Sequence, residues 1–110
     1  MQINEVDVIE FKNQLEARQN GVLFLDVRTH EERQEEFIEG TTHIPLAEFP
    51  LKIDSILQDS SIKKIYIQCL GGARSANVCT IFLQAGFNDV YNVKGGLKAW
   101  KALGFKTKVK

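Results

Sequence analysis

Cysteine is scarce in this chain, with only Cys69 and Cys79 among 110 residues. Two thiols cannot build the disulfide framework that holds many small secreted domains together, so a disulfide scaffold is excluded and a reducing compartment is implied. A membrane-spanning run is also lacking: no apolar stretch approaches the roughly 18 to 20 residues needed. The start "MQINEVDVIEF" has neither a basic segment nor a continuous apolar one, so the expected location is the cytoplasm. Net charge is missing too, with 14 Lys and Arg against 14 Asp and Glu. Nothing global therefore favours nucleic acid, a membrane surface or a polyanionic partner. Internal repeats, low-complexity tracts and linkers are absent, and no cluster of residues has metal-ligand spacing. No metal or cofactor is expected.

What remains is an ordinary globular composition, 44% hydrophobic and 25% charged, in a length that fits one domain over residues 1–110. Charge is uneven only locally. "HEERQEEFIE" carries five glutamates against one arginine, and the tail from Lys98 carries five lysines. Both read as solvated faces.

Short β-rich runs alternate with helical ones. "VDVIEFKNQLEAR" places Val8, Ile9, Phe11 and Leu15 near helical spacing after an Asp7 cap, with Asn20-Gly21 as the stop. "VLFLDV" (22–27) and "KKIYIQC" (63–69) are apolar enough for strands covered on both faces of a parallel sheet. Between them lie a polar helix started by Thr29, the extended piece "THIPL", and the helix "AEFPLKIDSILQ" with Pro50 in its first turn. "SANVCTIFLQAG" turns Val78, Cys79, Ile81, Phe82 and Ala85 to one face, "DVYNV" is a short strand, and "GGLKAWKALG" is a last helix. Trp100 reads as its core anchor and Gly95-Gly96 as a tight turn. Strands interleaved with helices imply an α/β fold, a mostly parallel sheet with helices on both faces. Ligands in such sheets sit beyond the carboxyl ends of the strands, where Cys69, Asp26 and Arg28 fall.

"CLGGARS" (69–75) is the candidate site. Thiolate is the reactive form of cysteine, and an ordinary thiol is mostly protonated at neutral pH. A curl through Leu70, Gly71, Gly72 and Ala73 can aim successive backbone N–H groups inward, and a helix starting near Arg74 or Ser75 adds its positive end. Both favour the anion. Arg74 can offer its fork of donors to an oxyanion held above the sulfur. Phosphate esters and sulfur oxyanions such as thiosulfate are the two anion classes that such a pocket could process.

Four motifs in order resemble the rhodanese family. "CLGGARS" is similar to C-x-x-G-x-R-[S/T], "LFLDVRTHEE" to D-V-R-x-x-x-E, "IEGTTHIPL" to I-x-G-A-x-N-I-P-L, and "LQAGFNDVYNVKGGLKAW" to the family's closing segment. The resemblance implies a rhodanese-like three-layer α/β/α fold with a parallel sheet of about five strands. It also implies a sulfurtransferase cycle. Cys69 would take the outer sulfur of a donor such as thiosulfate as a persulfide and pass it to cyanide or a thiol, with Arg74 placing the donor's sulfonate. Partners would be the small sulfur-donor anion, the acceptor, or a protein donor or acceptor. Four residues separate Cys69 from Arg74, against five in cysteine-dependent phosphatases, and Gln68 precedes the cysteine where those enzymes commonly have histidine. Both features favour sulfur over phosphate, and over an arsenate reductase on the same fold.

The chain departs from the family where "ERQEEFI" puts Arg33 at an aromatic position, Glu36 at a glycine and Phe37 at a histidine. Local packing, and a partner surface, are where these changes would act. Cys79 is read as a core residue, with a resolving role open only if it reaches the pocket. Asp26 and Arg28 either rim the pocket or brace the loop as an ion pair. His30 and His43 are read as surface or packing histidines. A module that recruits a partner, delivering sulfur only within a complex, is the alternative to a free-standing enzyme.

Overall fold

The computed structural model describes residues 2–109. Five parallel strands form one sheet: β1 (Asn4–Val6), β2 (Val22–Asp26), β3 (Thr42–His43), β4 (Lys64–Gln68) and β5 (Val90–Val93), in the order β1-β5-β4-β2-β3. The longest register joins β2 to β4, pairing Val22 with Lys64 through to Asp26 with Gln68. The two strands that carry candidate site residues therefore end side by side.

Side chains of β2 and β4 alternate between two cores, because successive residues point to opposite faces. Leu25, Ile65 and Ile67 pack with Val78, Cys79 and Phe82 of α4 (Ala73–Gln84) and with Phe49 and Ile56 of α3 (Phe49–Gln58). Phe24 and Tyr66 pack on the other side with Val8, Phe11 and Leu15 of α1 (Val8–Ala17) and Leu97 and Trp100 of α5 (Gly96–Ala102). Covering both faces explains why these strands are apolar almost throughout. The result is a three-layer α/β/α arrangement.

The remaining helix, α2 (His30–Glu35), buries no residue and depends on polar contacts. Thr29 caps it in a reciprocal box: its hydroxyl accepts from the Glu32 N–H, while the Glu32 carboxylate accepts from the Thr29 N–H.

Several elements differ from the sequence reading for physical reasons. β1 escaped it because an edge strand of three residues, with only Val6 partly covered, leaves no apolar period. Helix α1 stops at Ala17, before Asn20-Gly21, because Arg18 itself takes the left-handed conformation, and Ile9 stays half-exposed. The extended piece "THIPL" contributes only Thr42 and His43 to the sheet, and a 3-10 turn at Leu46–Glu48 leads into α3, whose first turn holds Pro50. Ala85 caps α4 and is exposed. Trp100 is a core anchor whose indole N–H donates to the Lys106 carbonyl. Among the described residues no helix is long and apolar enough to cross a membrane.

Candidate active site

β4 delivers Cys69 to the carboxyl edge of the sheet, and the chain then curls tightly over the sulfur. The Gly72 N–H donates to Sγ at 3.0 Å and the Ser75 hydroxyl lies 3.3 Å from it. Gly72 sits at φ +106° as the cap of α4, a conformation that side chains disfavour. The loop's carbonyls face away from the sulfur. Cys69 O accepts from Leu97 N and Gln68 Nε2, Leu70 O accepts from Lys98 N, and Gly72 O accepts from Ala76 N and Asn92 Nδ2. The start of α5 thus holds the outer side of the loop, leaving its N–H groups for the sulfur. Gly96 permits that approach, since a Cβ there would collide with Cys69 O and lie 2.8 Å from Leu70 O. The glycine pair read as a tight turn is also the seat of the cysteine loop.

Burial pushes the Cys69 thiol up, but hydrogen bonds from the Ser75 hydroxyl and from the N–H groups of Ser75, Gly72 and Gly71 outweigh it and bring the thiol below its ordinary value. Cys79 behaves oppositely. Burial, with a smaller contribution from the Glu5 charge, pushes its thiol up to about 12, and it packs in the core with Val78 and Phe82. Cys79 is therefore a neutral packing residue at physiological pH.

Ser75 has one proton and three acceptors in reach: Asn92 Oδ1 at 2.5 Å, Gly72 O at 3.2 Å and the sulfur at 3.3 Å. Asn92 is fixed by donating from Nδ2 to Glu5 and to Gly72 O. The hydroxyl can therefore rest on Asn92 while the sulfur is neutral and turn to it when it becomes anionic. Asn92 lies in a buried β5 pattern, and its only sequence signal is a polar residue on an otherwise covered strand.

Arg74 leans toward α2. Its two terminal nitrogens donate to Glu32 at 2.6 and 2.9 Å, a bidentate pair between residues 42 apart in sequence. The Arg74 hydrogen bond is the main reason that the Glu32 carboxyl falls to about 2, and Thr29 adds to it. The guanidinium is held more firmly charged, first by Glu32 and then by the nearby Cys69 and Asp26 charges. The sequence places Glu32 at the acidic position of the D-V-R-x-x-x-E resemblance without giving it a chemical role, although Thr29-x-x-Glu32 also carries the capping-box signature that places it.

Asp26 and Arg28 form a buried brace. The Asp26 carboxylate is fully buried and accepts from Arg28 Nε and Nη2, from the Arg28 N–H and from Arg33 Nη1. Arg28 also donates to the carbonyls of Glu32 and Glu36, which ties α2 to the sheet. Arg33, in the position where the family's pattern has an aromatic residue, reaches Asp26, Thr41 Oγ1 and Thr41 O, and its guanidinium stacks 4.0 Å from the Phe37 ring centroid. Phe37 in turn exchanges backbone hydrogen bonds with Lys108. The departures Arg33 and Phe37 thus form one local packing unit under α2.

His43 donates from Nε2 to Arg28 O at 2.7 Å, and its ring meets His30 edge-on at 5.0 Å. His30 pairs with Glu48 at 2.8 Å. His30 and Glu48 help line a groove of about 430 Å³ floored by Val27, Pro45, Leu46 and Ala47, with Arg74 as one wall. A second cavity, of about 530 Å³, lies by Trp100 and Phe105 and includes no residue of the cysteine loop. Among the described residues no group of three His, Cys, Asp or Glu could hold a metal ion.

Comparison with known proteins places this arrangement. The profile of the Rhodanese-like domain matches residues 7–103. The Bacillus subtilis protein "Putative sulfurtransferase YtwF" is 36% identical over 101 residues, covering 92% of this chain and 93% of that protein. A "Sulfurtransferase" of Allochromatium vinosum is 31% identical, covering 93% and 92%. The crystal structure of a rhodanese-like domain protein from Staphylococcus aureus superposes with a TM-score of 0.77 at 33% identity, over 98% of this chain and 99% of that one. With its parallel sheet and a cysteine loop seated on the start of the last helix, the chain belongs to the rhodanese-like domain family.

Proposed function

We propose that this protein is a sulfurtransferase that carries a sulfane sulfur on Cys69. The observation that carries the reading is the cradle itself: a buried sulfur at a strand end, facing the loop's N–H groups, with its thiol lowered despite burial. The sulfurtransferase relatives support the reaction class.

The Cys69 thiolate attacks the outer sulfur of the donor. A Sγ–S bond forms, the donor's bond to that sulfur breaks, and the leaving group departs with the electron pair, as sulfite when the donor is thiosulfate. The persulfide anion extends into the space bounded by the loop, where fixed N–H donors stabilise its charge. Cyanide or a thiol then attacks the terminal sulfur, and the Cys69 thiolate leaves and is regenerated. Dividing the transfer into two displacements is covalent catalysis. A cradle with four residues between cysteine and arginine suits a single extra sulfur atom better than a tetrahedral phosphate.

Mass spectrometry tests the reading. Incubation with thiosulfate or an organic persulfide is expected to add about 32 Da, one sulfur, to the peptide containing Cys69, and cyanide is expected to remove it by the covalent cycle. Cys79→Ser should still load. A Cys69→Ser protein that gains and transfers sulfur sinks the proposal. Loading that occurs only in the presence of a captured protein partner would transfer the reading to a relay module.

A further inference from the structure

We propose, on the basis of the sulfur-transfer reading, that Glu32 is a specificity-determining residue: by occupying Arg74 it turns the site toward organic persulfides with a neutral or cationic carrier and away from small dianions.

The guanidinium edge that would match a sulfonate is already taken. Nη1 and Nη2 of Arg74 face the two Glu32 oxygens, and one of those oxygens is itself held by the Thr29 N–H and hydroxyl. Glu32 is further anchored through its own backbone, whose carbonyl accepts from the buried Arg28. A thiosulfate seeking Arg74 must displace a preorganised carboxylate, with both anions brought to one cation. Electrostatic repulsion and the loss of a bidentate pair both oppose this.

The space that Arg74 walls has the complementary character. Its floor of Val27, Pro45, Leu46 and Ala47 is apolar, and its rim carries the Glu31 carboxylate and the Glu48 carboxylate, the latter in contact with His30. The groups there that could attract an anion, Arg74 and His30, already face the Glu32 and Glu48 carboxylates. A carbon chain can lie on the floor, and a terminal ammonium can face the rim. The chemistry balances without an added oxidant or reductant. The Cys69 thiolate attacks the terminal sulfur of R–S–SH, Sγ–S forms, the R–S to S bond breaks, and R–S⁻ leaves and takes up a proton.

Two donors of matched length provide the test: cysteamine persulfide, with an ammonium, and 3-mercaptopropionate persulfide, with a carboxylate. Loading of Cys69 is followed by quenched-flow mass spectrometry on the wild-type chain and on Glu32→Gln, which retains capping ability. Wild type is expected to load from the cationic donor about tenfold more efficiently (kcat/KM), and Glu32→Gln is expected to erase that ratio while lowering the KM for thiosulfate by about tenfold, as freeing one charge near the surface allows. Glu31→Gln with Glu48→Gln alters the rim without touching Arg74 and should reduce the cationic preference alone. Equal use of both donors by wild type, or a donor ratio and thiosulfate KM unmoved in Glu32→Gln, overturns the assignment of Glu32 while leaving the sulfur-transfer reading intact. Failure of every donor to load Cys69 removes that reading instead.

Discussion

Two arginine–carboxylate pairs stand near the carboxyl edge of the sheet, and they are built from the same chemistry for opposite ends. Asp26 and Arg28 are sealed, at 0% and 2% side-chain exposure, and every strong donor of the arginine is spent on Asp26 or on the backbone carbonyls of Glu32 in α2 and of Glu36, its C-cap. Glu32 and Arg74 are partly open, at 26% and 33%; Arg74 feels the charge of Cys69 and walls a groove. The two pairs are also in series. Arg28 fixes the backbone of Glu32, and the Glu32 side chain fixes Arg74. Burial decides what each pair can do: the first holds the helix in place, and the second can respond to a ligand.

The largest effect should come from breaking the sealed pair. Asp26→Ala leaves the buried Arg28 guanidinium without a counter-charge, and removing one partner of a buried ion pair costs about 3 to 5 kcal/mol. Glu32→Ala should cost only about 1 kcal/mol, the scale of a surface pair plus a partial cap. Urea unfolding of the two variants side by side measures the contrast. Similar losses for both would show that burial does not separate the pairs.

An intermediate effect is expected at Arg33. Returning the family's aromatic side chain, as Arg33→Phe, takes one donor from Asp26 and leaves Thr41 O without its guanidinium, yet Arg28 still neutralises the carboxylate. The cost should be about 1 to 3 kcal/mol, that of leaving buried acceptors underused. A loss as large as that of Asp26→Ala would make Arg33 the principal partner of Asp26 and reassign the sealed pair.

These contrasts also mark what a sequence can disclose. The position of Cys69 in the fold was legible because a run covered on both faces, Lys64–Gln68, must end at the carboxyl edge of a parallel sheet, and Gly71-Gly72 announces the curl. The α/β architecture followed from the alternation of runs. The pairing of Arg74 was not legible: Glu32 falls on the acidic position of the D-V-R-x-x-x-E motif, but nothing local links it to an arginine 42 residues away. Arg33 reads as a surface residue because helix α2 has no apolar stripe to reveal which side faces inward. Asn92 is masked by the strand that contains it, and β1 by an edge position that needs no hydrophobic pattern. The polar geometry beside the cysteine loop lies in long-range pairs, and local periodicity carries no record of them.

The smallest effect concerns pH, and it tests whether the open pair contributes to folding at all. The folded Glu32 carboxyl stands at about 2, below its ordinary value of 4.5, chiefly because Arg74 donates to its charged form. A group lowered in the folded state gives stability that is fully present above its ordinary value and is lost as pH falls through the folded one. The window is therefore about pH 4.5 down to about 2. Because the pair is partly exposed, the contribution should be about 1 kcal/mol, less than the full shift would imply. Wild type and Glu32→Gln, compared by urea midpoint at pH 6 and pH 3, should differ at pH 6 and converge toward pH 3. If the gap stays constant across that range, the Glu32 charge adds nothing to folding, and the pair serves only to hold Arg74 at the mouth of the site.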